Sequence, residues 1–331
     1  MQENKFKIIT FYPQTIERLD KVVKSFMPYL SRSQVINLIK NGFVKVGDHI
    51  VKKPGHLVKP CELVEVILEP KATNQDEFCD LHLDVLLEEE RFFAVNKPAG
   101  ISVHPGAGKR TVTVLDFLKK KLGDQYYDMD KGGLVHRLDK DTSGVLLCAK
   151  DKLYQQALSK LFQKRLVKKT YLALTHAPKN SLFWRCERGT ITCWIKRDPA
   201  NRLRFRCHDK EVSSSRLAIT EFERLLIFAN LAIMILRPIT GRTHQLRASC
   251  LYVNCPIVND KLYATNITMP PELNKTSLGQ LITRTTRLML HAYKIEFVDP
   301  VTGLSYKIKA PLPLEFRDIL LELQGTEVLD N

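Results

Sequence analysis

The chain has none of the residue spacings that build the common cofactor sites. Its eight cysteines, Cys61, Cys79, Cys148, Cys186, Cys193, Cys207, Cys250 and Cys255, include no CxxC pair, and its nine histidines include no HExxH or HxH. Zinc and dithiol chemistry therefore have no motif to rest on, and the cysteines read as scattered reduced thiols. Neither GxxxxGK[ST] nor a GxGxxG following a strand occurs, so nucleotide hydrolysis on a phosphate loop and dinucleotide redox chemistry lack support. A serine nucleophile elbow is absent as well. The longest apolar run, Leu225 to Leu236, is interrupted by Asn230 and is too short to cross a bilayer. The opening MQENKFKIITFYPQ contains no basic segment followed by an apolar stretch and a cleavage site, so no secretory signal is read and a cytoplasmic location is expected. Neither an internal repeat nor a low-complexity segment is present. Chemistry without metal or cofactor is what these absences leave.

Positive charge is what the chain has in excess. Lysine and arginine number 51 against 36 aspartates and glutamates, a formal net charge of +15. That balance is the electrostatic footprint of a nucleic-acid binder, although an anionic membrane or an acidic protein would feel the same field. With 331 residues, 44% of them hydrophobic, the chain can build two domains with real cores.

Over the first seventy residues the pattern predicts a helix pair followed by short strands. Ile16, Leu19, Val22, Val23 and Phe26 form one helical stripe, opposite Arg18, Asp20, Lys21 and Lys24. After Pro28, Ser31 or Ser33 can cap a second helix with the stripe Val35, Ile36, Leu38 and Ile39, stopped by Asn41 and Gly42. Phe43 to Val46, Ile50 with Val51, and Leu63 to Ile67 read as strands. The density of basic residues on so small a module, Arg18, Arg32, Lys40 and Lys45 among them, suits phosphate contact. From Pro70 to Asp84 the sequence turns polar and loses periodicity. The expected domains are a small basic module with an amino-terminal extension over 1–71, a linker over 72–82, and a larger domain over 83–331.

In the larger domain Phe92–Val95, Tyr171–Leu174, Ala218–Phe222, Leu231–Leu236 and Lys294–Val298 read as strands, and Val112–Leu122 and Leu153–Leu161 as helices. Strands outnumber helices and the spacing is too irregular for repeated βαβ units. An α+β domain around a mostly antiparallel central sheet with flanking helices is predicted.

Four polar clusters interrupt it: NKPAGISVHPGAG from Asn96, HRLDKDTSG from His136, KKTYLAL from Lys168 and RPITGRTHQLR from Arg237. Each is flanked by apolar segments, as loops converging on one cleft would be. In the second, Leu134, Val135 and Leu138 lead in and Val145–Ala149 lead out, and both flanks read as buried strand. Asp139 therefore sits either in a salt bridge with Arg137 or Lys140 at a strand end, or in a site. In the fourth, Leu246 brackets an Arg247 that points into apolar surroundings, where it needs a carboxylate. Asp139 is the candidate partner, and such a pair favours an ionised carboxylate fit to act as nucleophile or base. Tyr171 offers a ring for stacking and a hydroxyl, or else is a core tyrosine. His104, His136, His244 and His291 are isolated, as structural or phosphate-contacting histidines are.

Taken together and in this order, the four clusters resemble the motifs of the RluA-type pseudouridine synthases, from about Leu83 to about Pro313. The amino-terminal module resembles the small RNA-binding domain named after ribosomal small-subunit protein S-four, carried by the RluC and RluD branches. The resemblance implies that Asp139 is the catalytic residue, that Tyr171 stacks on the target base, and that Arg247 is the ion-pair partner of the aspartate. It implies that Arg137 holds open the space left by the extruded nucleotide and that Leu290 contributes an apolar wall. Lys97, His136, Arg242 and His244, in the same motifs, are expected to contact substrate. No metal or cofactor is implied. Where family members commonly show Gly-His-Pro and then Gly-Asp, this chain has Asn254, Cys255, Pro256 and then Asn259, Asp260. Those positions are expected to lie outside the catalytic cluster and to bear on loop geometry. The stretch Phe183 to Arg216 is atypical, and no residue is carried over onto it.

The expected function is isomerisation of chosen uridines in structured RNA, large-subunit ribosomal RNA first and transfer RNA as the alternative, by a monomer that does not engage membranes. A non-catalytic RNA-binding or ribosome-assembly factor would share the basic module and the charge. A glycoside hydrolase would need a second carboxylate placed as general acid, and none is seen.

Overall fold

The computed structural model describes residues 7–27, 30, 32–68, 81–106, 111–265 and 271–323. They fall into two compact units that divide between Cys79 and Asp80.

In the first unit the described elements are β1 (Lys7–Phe11), β2 (Glu17–Arg18), α1 (Leu19–Phe26), α2 (Arg32–Lys40), β3 (Val44–Val46), β4 (His49–Ile50), β5 (Leu57–Val58) and β6 (Val64–Leu68). A four-stranded antiparallel sheet runs β1-β6-β3-β4. Leu19, Val22 and Val23 of α1 and Val35 and Ile39 of α2 bury one core against Val44, Val64 and Val66. Helix α1 starts three residues later than its stripe suggests. Glu17 and Arg18 pair with Val58 and Leu57, which holds that backbone extended and leaves Ile16 outside the helix and 65% exposed. Ser33 lies within α2 and cannot cap it; Pro28 and Ser31 lie outside the described residues. Strand β1 was not foreseen from its sequence. Arg32 and Lys40 are exposed and Lys45 is half-buried, whereas Arg18 forks onto Asp20 at 3.0 and 2.9 Å, so its charge is partly compensated.

The second unit contains β7 (Asp84–Glu88), β8 (Phe92–Lys97), α3 (Val114–Leu122), α4 (Gln125–Asp128), β9 (Ser143–Ala149), α5 (Lys152–Gln163), β10 (Lys168–His176), α6 (Leu182–Arg185), β11 (Arg188–Arg197), β12 (Phe205–His208), β13 (Arg216–Phe228), β14 (Leu231–Pro238), α7 (Gln245–Tyr252), α8 (Pro271–Asn274), α9 (Ser277–Arg284), β15 (Leu290–Val298), β16 (Ser305–Lys309) and α10 (Leu314–Glu322). One sheet runs β12-β11-β13-β14-β10-β15-β9-β8-β7, with β16 added beside β15. Among the described strand pairs only β9 and β15 run parallel, so the sheet is mostly antiparallel as predicted.

Both sheet faces are covered, which explains the unbroken apolar runs FFAV and GVLLCA. Phe93, Val95, Leu146 and Cys148 face the α3 side with Leu118. Phe92, Ala94, Val145 and Leu147 face the other side with Tyr154 and Leu158 of α5. The Leu225–Leu236 run becomes a hairpin, its break at Asn230 forming the turn between β13 and β14. Two expectations are corrected. The segment leading into Asp139 is not a strand; it forms one isolated backbone bridge with the sheet, Leu134 to Cys148. Nor are the cysteines all scattered, because strand pairing brings the Cys193 and Cys207 sulfurs to 2.9 Å, both as free thiols.

The parallel contact aligns Ser143 with His291 and Gly144 with Ala292. At Gly144, φ is 116° and a Cβ would stand 2.2 Å from the Ala292 carbonyl oxygen. This close approach fixes the start of β9, and with it the loop before it. Gly144→Ala is expected to cost about 3 kcal/mol or more, since both the backbone conformation and the contact are violated; urea denaturation measures it, and a loss under about 1 kcal/mol would show that β15 yields freely.

Candidate active site

Two loops distant in sequence are stitched together by a buried lysine. Strand β8 ends at Lys97, whose amine donates to the carbonyls of Pro98 at 2.8 Å, Ile101 at 2.8 Å and Lys140 at 2.9 Å. Three carbonyls match the three donors of an ammonium group. Burial pulls its pKa down to about 7, opposed by the charges of Asp141 and Asp139. The expected substrate contact is therefore corrected: Lys97 is wholly buried and serves to position the backbone next to Asp139. The Gly100 N–H, donating to the Lys140 carbonyl at 3.0 Å, adds a second stitch.

Asp139 sits at the turn into β9, its carbonyl accepting from the Thr142 N–H at 3.2 Å. Its carboxylate lies 3.6 Å from Arg247 Nη1 and keeps 17% of its side-chain surface, enough to reach a bound group. Among the described residues it makes no ion pair with Arg137 or Lys140.

Arg247 comes from α7, which begins after a tight loop. Gln245 organises that loop: its Oε1 accepts from the Thr240 hydroxyl at 2.7 Å and the Arg242 N–H at 3.0 Å, and its Nε2 donates to the Ile219 carbonyl at 2.9 Å. His244 is held there in the left-handed region, φ 54°. The Arg247 guanidinium forks onto Asp260, Nε to Oδ2 and Nη2 to Oδ1, both at 2.7 Å. Asp260 is fully enclosed and also accepts the N–H groups of Leu262 and Tyr263 at 3.0 Å. Burial pulls the Arg247 pKa down, but the bonds and charge of Asp260, then the charge of Asp139, outweigh it and leave it raised. The Tyr263 ring lies 5.1 Å from the guanidinium carbon, and its hydroxyl accepts from the Phe205 N–H at 2.7 Å and meets His244 Nδ1 at 3.1 Å.

Asp260 thus belongs to the cluster from which the sequence reading excluded it. Asp139 is the looser of two carboxylates sharing one guanidinium. The altered loop residues also find an explanation: Asn254 at φ 58° and Asn259 at φ 59° adopt the left-handed conformation, which asparagine tolerates better than most residues after glycine. Asn259 further donates from Nδ2 to the Thr285 carbonyl at 2.6 Å. The signal that could have found Asp260 was the retained Asp after a left-handed-capable residue.

Asp139, Gln245 and Arg247 line a cavity of about 430 Å³ together with Tyr171, His136, Arg137, Arg165, Lys169, Arg242, His244 and Leu290. Tyr171 is half-buried, and burial, then Asp139, push its phenol pKa well up, so it stays protonated. Leu290 is buried and forms an apolar wall. His136 stacks on Phe162 and accepts the Leu147 N–H on Nε2 at 2.9 Å; burial, then Lys169, hold its pKa near 3. It is a neutral ring, half-buried along the cavity wall. His244 is also held below its usual pKa, first by burial. Arg137 is exposed at the rim. Arg242 donates from Nε to the Leu217 carbonyl at 3.0 Å, and burial, then Arg216 and Arg165, lower its pKa. Sequence reasoning missed Arg165, Lys169, Gln245, Asp260 and Tyr263. Among the described residues no group of three or more His, Cys, Asp or Glu could hold a metal ion, and no helix is long and apolar enough to cross a membrane.

A carboxylate–guanidinium pair in a basic cleft beside a mixed sheet suits an enzyme whose substrate is a polyanion. The family profile for RNA pseudouridylate synthase matches residues 91–252, and that of the S4 domain matches residues 17–64. The chain is 33% identical to "Ribosomal large subunit pseudouridine synthase D" of Xylella fastidiosa, over 94% of this chain and 90% of that one. It is 31% identical to an "Uncharacterized RNA pseudouridine synthase" of Helicobacter pylori, over 96% and 94%. The solved structure "Human RNA Pseudouridylate Synthase Domain Containing 4" superposes with a TM-score of 0.57 at 25% identity, covering 73% of this chain and 93% of that one. The chain belongs to the RNA pseudouridylate synthase family, with an amino-terminal S4 domain.

Removing Asp260 strands a buried guanidinium. Asp260→Ala is expected to destabilise the fold by about 3–5 kcal/mol, and Asp260→Asn by less while still impairing turnover, because Arg247 loses its forked anchor. Urea melts paired with a pseudouridine assay check this; wild-type turnover by Asp260→Asn would show that the anchor is dispensable.

Proposed function

We propose that this pseudouridine synthase acts on large-subunit ribosomal RNA, with Asp139 as its catalytic carboxylate. One observation carries the catalytic assignment: among the described residues Asp139 is the single carboxylate lining the cavity, and a buried arginine held by another aspartate faces it at 3.6 Å. The name of the Xylella relative supports the choice of ribosomal RNA, as does an S4 domain preceding the catalytic unit. Action on ribosomal RNA would place the protein in the cytoplasm.

The isomerisation breaks the bond between uracil N1 and ribose C1′ and makes one between C5 and C1′. The base loses a proton from C5 and gains one at N1, so no electron or atom is exchanged with a co-reactant. A stacked uridine cannot present C1′ to a carboxylate at the bottom of a cleft, so the nucleotide must leave the stack, at a cost of a few kcal/mol. Tyr171 supplies a flat, protonated ring for the extruded base, Leu290 an apolar wall, and Arg137 a cation at the rim. Asp139 then either attacks C1′ or takes a ribose proton. Both routes need a negative carboxylate, and Arg247, anchored by Asp260, keeps a positive charge beside it.

Asp139→Asn preserves size and is expected to retain RNA affinity while losing turnover by at least about a thousandfold. Pseudouridine mapping on ribosomal and transfer RNA, with and without the protein, reads the activity and the substrate together. Undiminished turnover by the variant would remove Asp139 from the chemistry, and a target confined to transfer RNA would overturn the substrate.

A further inference from the structure

The cleft carries more positive charge than its chemistry uses. Arg247 is neutralised by Asp260 and Asp139, but Arg137, Arg165, Lys169 and Arg242 line the same cavity and make no ion pair among the described residues. Lys169 and Arg242 are half-buried and Arg137 and Arg165 exposed, and like charges gathered around one cavity repel until an anion joins them. Uracil and ribose are neutral; the anion that arrives with a uridine is its phosphodiester backbone.

Arg165 is the most informative of the four. Helix α5 ends in a Schellman motif: the Arg165 N–H donates to the Phe162 carbonyl at 3.1 Å and the Leu166 N–H to the Leu161 carbonyl at 2.9 Å. Arg165 occupies the position after the cap, at φ 60°, where glycine is the favoured residue because it has no Cβ to clash. An arginine there works against local stability, and strain of this kind collects at functional sites. Its guanidinium lines the cleft near Arg242, whose pKa it helps to lower.

We propose that Arg165, with Lys169 and Arg242, forms a binding site for the phosphodiester backbone beside the nucleotide that enters the cleft. The proposal rests on the reading that the cleft receives an RNA uridine. In it, the left-handed arginine is retained for its charge at the expense of the turn.

Arg165→Gly separates this role from a structural one, since it relaxes the backbone while removing the cation. Thermal melting is expected to show an unchanged or raised Tm. The KM for a large-subunit ribosomal RNA transcript should rise roughly fivefold, with the change in KM exceeding that in kcat. Binding to polyuridylate should show a salt slope shallower by about 0.7, one phosphate contact on a single strand. Lys307→Ala, the same charge change at an exposed position on β16 outside the cavity, should move neither value. A lower Tm for Arg165→Gly, an unaltered KM and salt slope, or an equal loss in Lys307→Ala would each overturn the site. Should the wild-type protein form no pseudouridine, the enzymatic assignment fails by itself, while the polyuridylate slopes still decide the phosphate site.

Discussion

One buried guanidinium shared by two carboxylates is the constraint around which the catalytic unit is arranged. Arg247 is 7% exposed in its side chain and would be untenable there alone. Asp260 solves that problem with a forked pair of 2.7 Å bonds, leaving Nη1 directed at Asp139 from 3.6 Å. The division of labour has a physical logic. A carboxylate that made the tight bidentate pair would be committed to it, whereas the looser one keeps a lone-pair face for a substrate. Tyr263 braces the guanidinium and joins it to β12 and His244, so the charge is held from several elements at once.

Placing Asp139 at the right distance from that arginine is a backbone problem, and the sheet solves it. The close approach of Gly144 to Ala292 sets the start of β9. Lys97 then ties the loop after β8 to the carbonyl of Lys140, next to the aspartate. The loop bearing Asp139 has almost no regular structure of its own, and it borrows its rigidity from a buried amine and from a strand packed on both faces. A site that must bring a charged group to a ribose carbon gains from such preorganisation, because the geometry is in place before the substrate arrives.

Around this floor the cleft is deliberately unneutral. A neutral histidine, His136, packs along one wall where a charged one would have added to the repulsion, its protonation suppressed by burial and by Lys169. Arg137, Arg165, Lys169 and Arg242 line the cleft without an ion pair among the described residues. The net charge of +15 is therefore expressed at the site itself as well as in the amino-terminal domain.

Periodicity and composition determined a good deal unaided. The stripes of α1, α3 and α5 and the apolar runs of β8, β9, β10 and β14 are local patterns, legible because burial of one face is written into residue spacing. The four polar clusters were legible for the same reason, as interruptions of apolar segments, and the pairing of Asp139 with Arg247 followed from the need of a buried cation for an anion. What only the tertiary structure decided were relations between residues far apart in the chain or hidden by their own polarity. Asp260 looked like a loop residue because the guanidinium that encloses it comes from a helix thirteen positions away. Lys97 looked like a substrate contact because a lysine's burial depends on whether three carbonyls converge on it. Ile16 and the Leu134–Leu138 segment mimicked helix and strand, and lost to pairing partners elsewhere. The strain at Arg165 is likewise invisible in sequence, since a residue's φ is set by the turn that the folded elements on either side require.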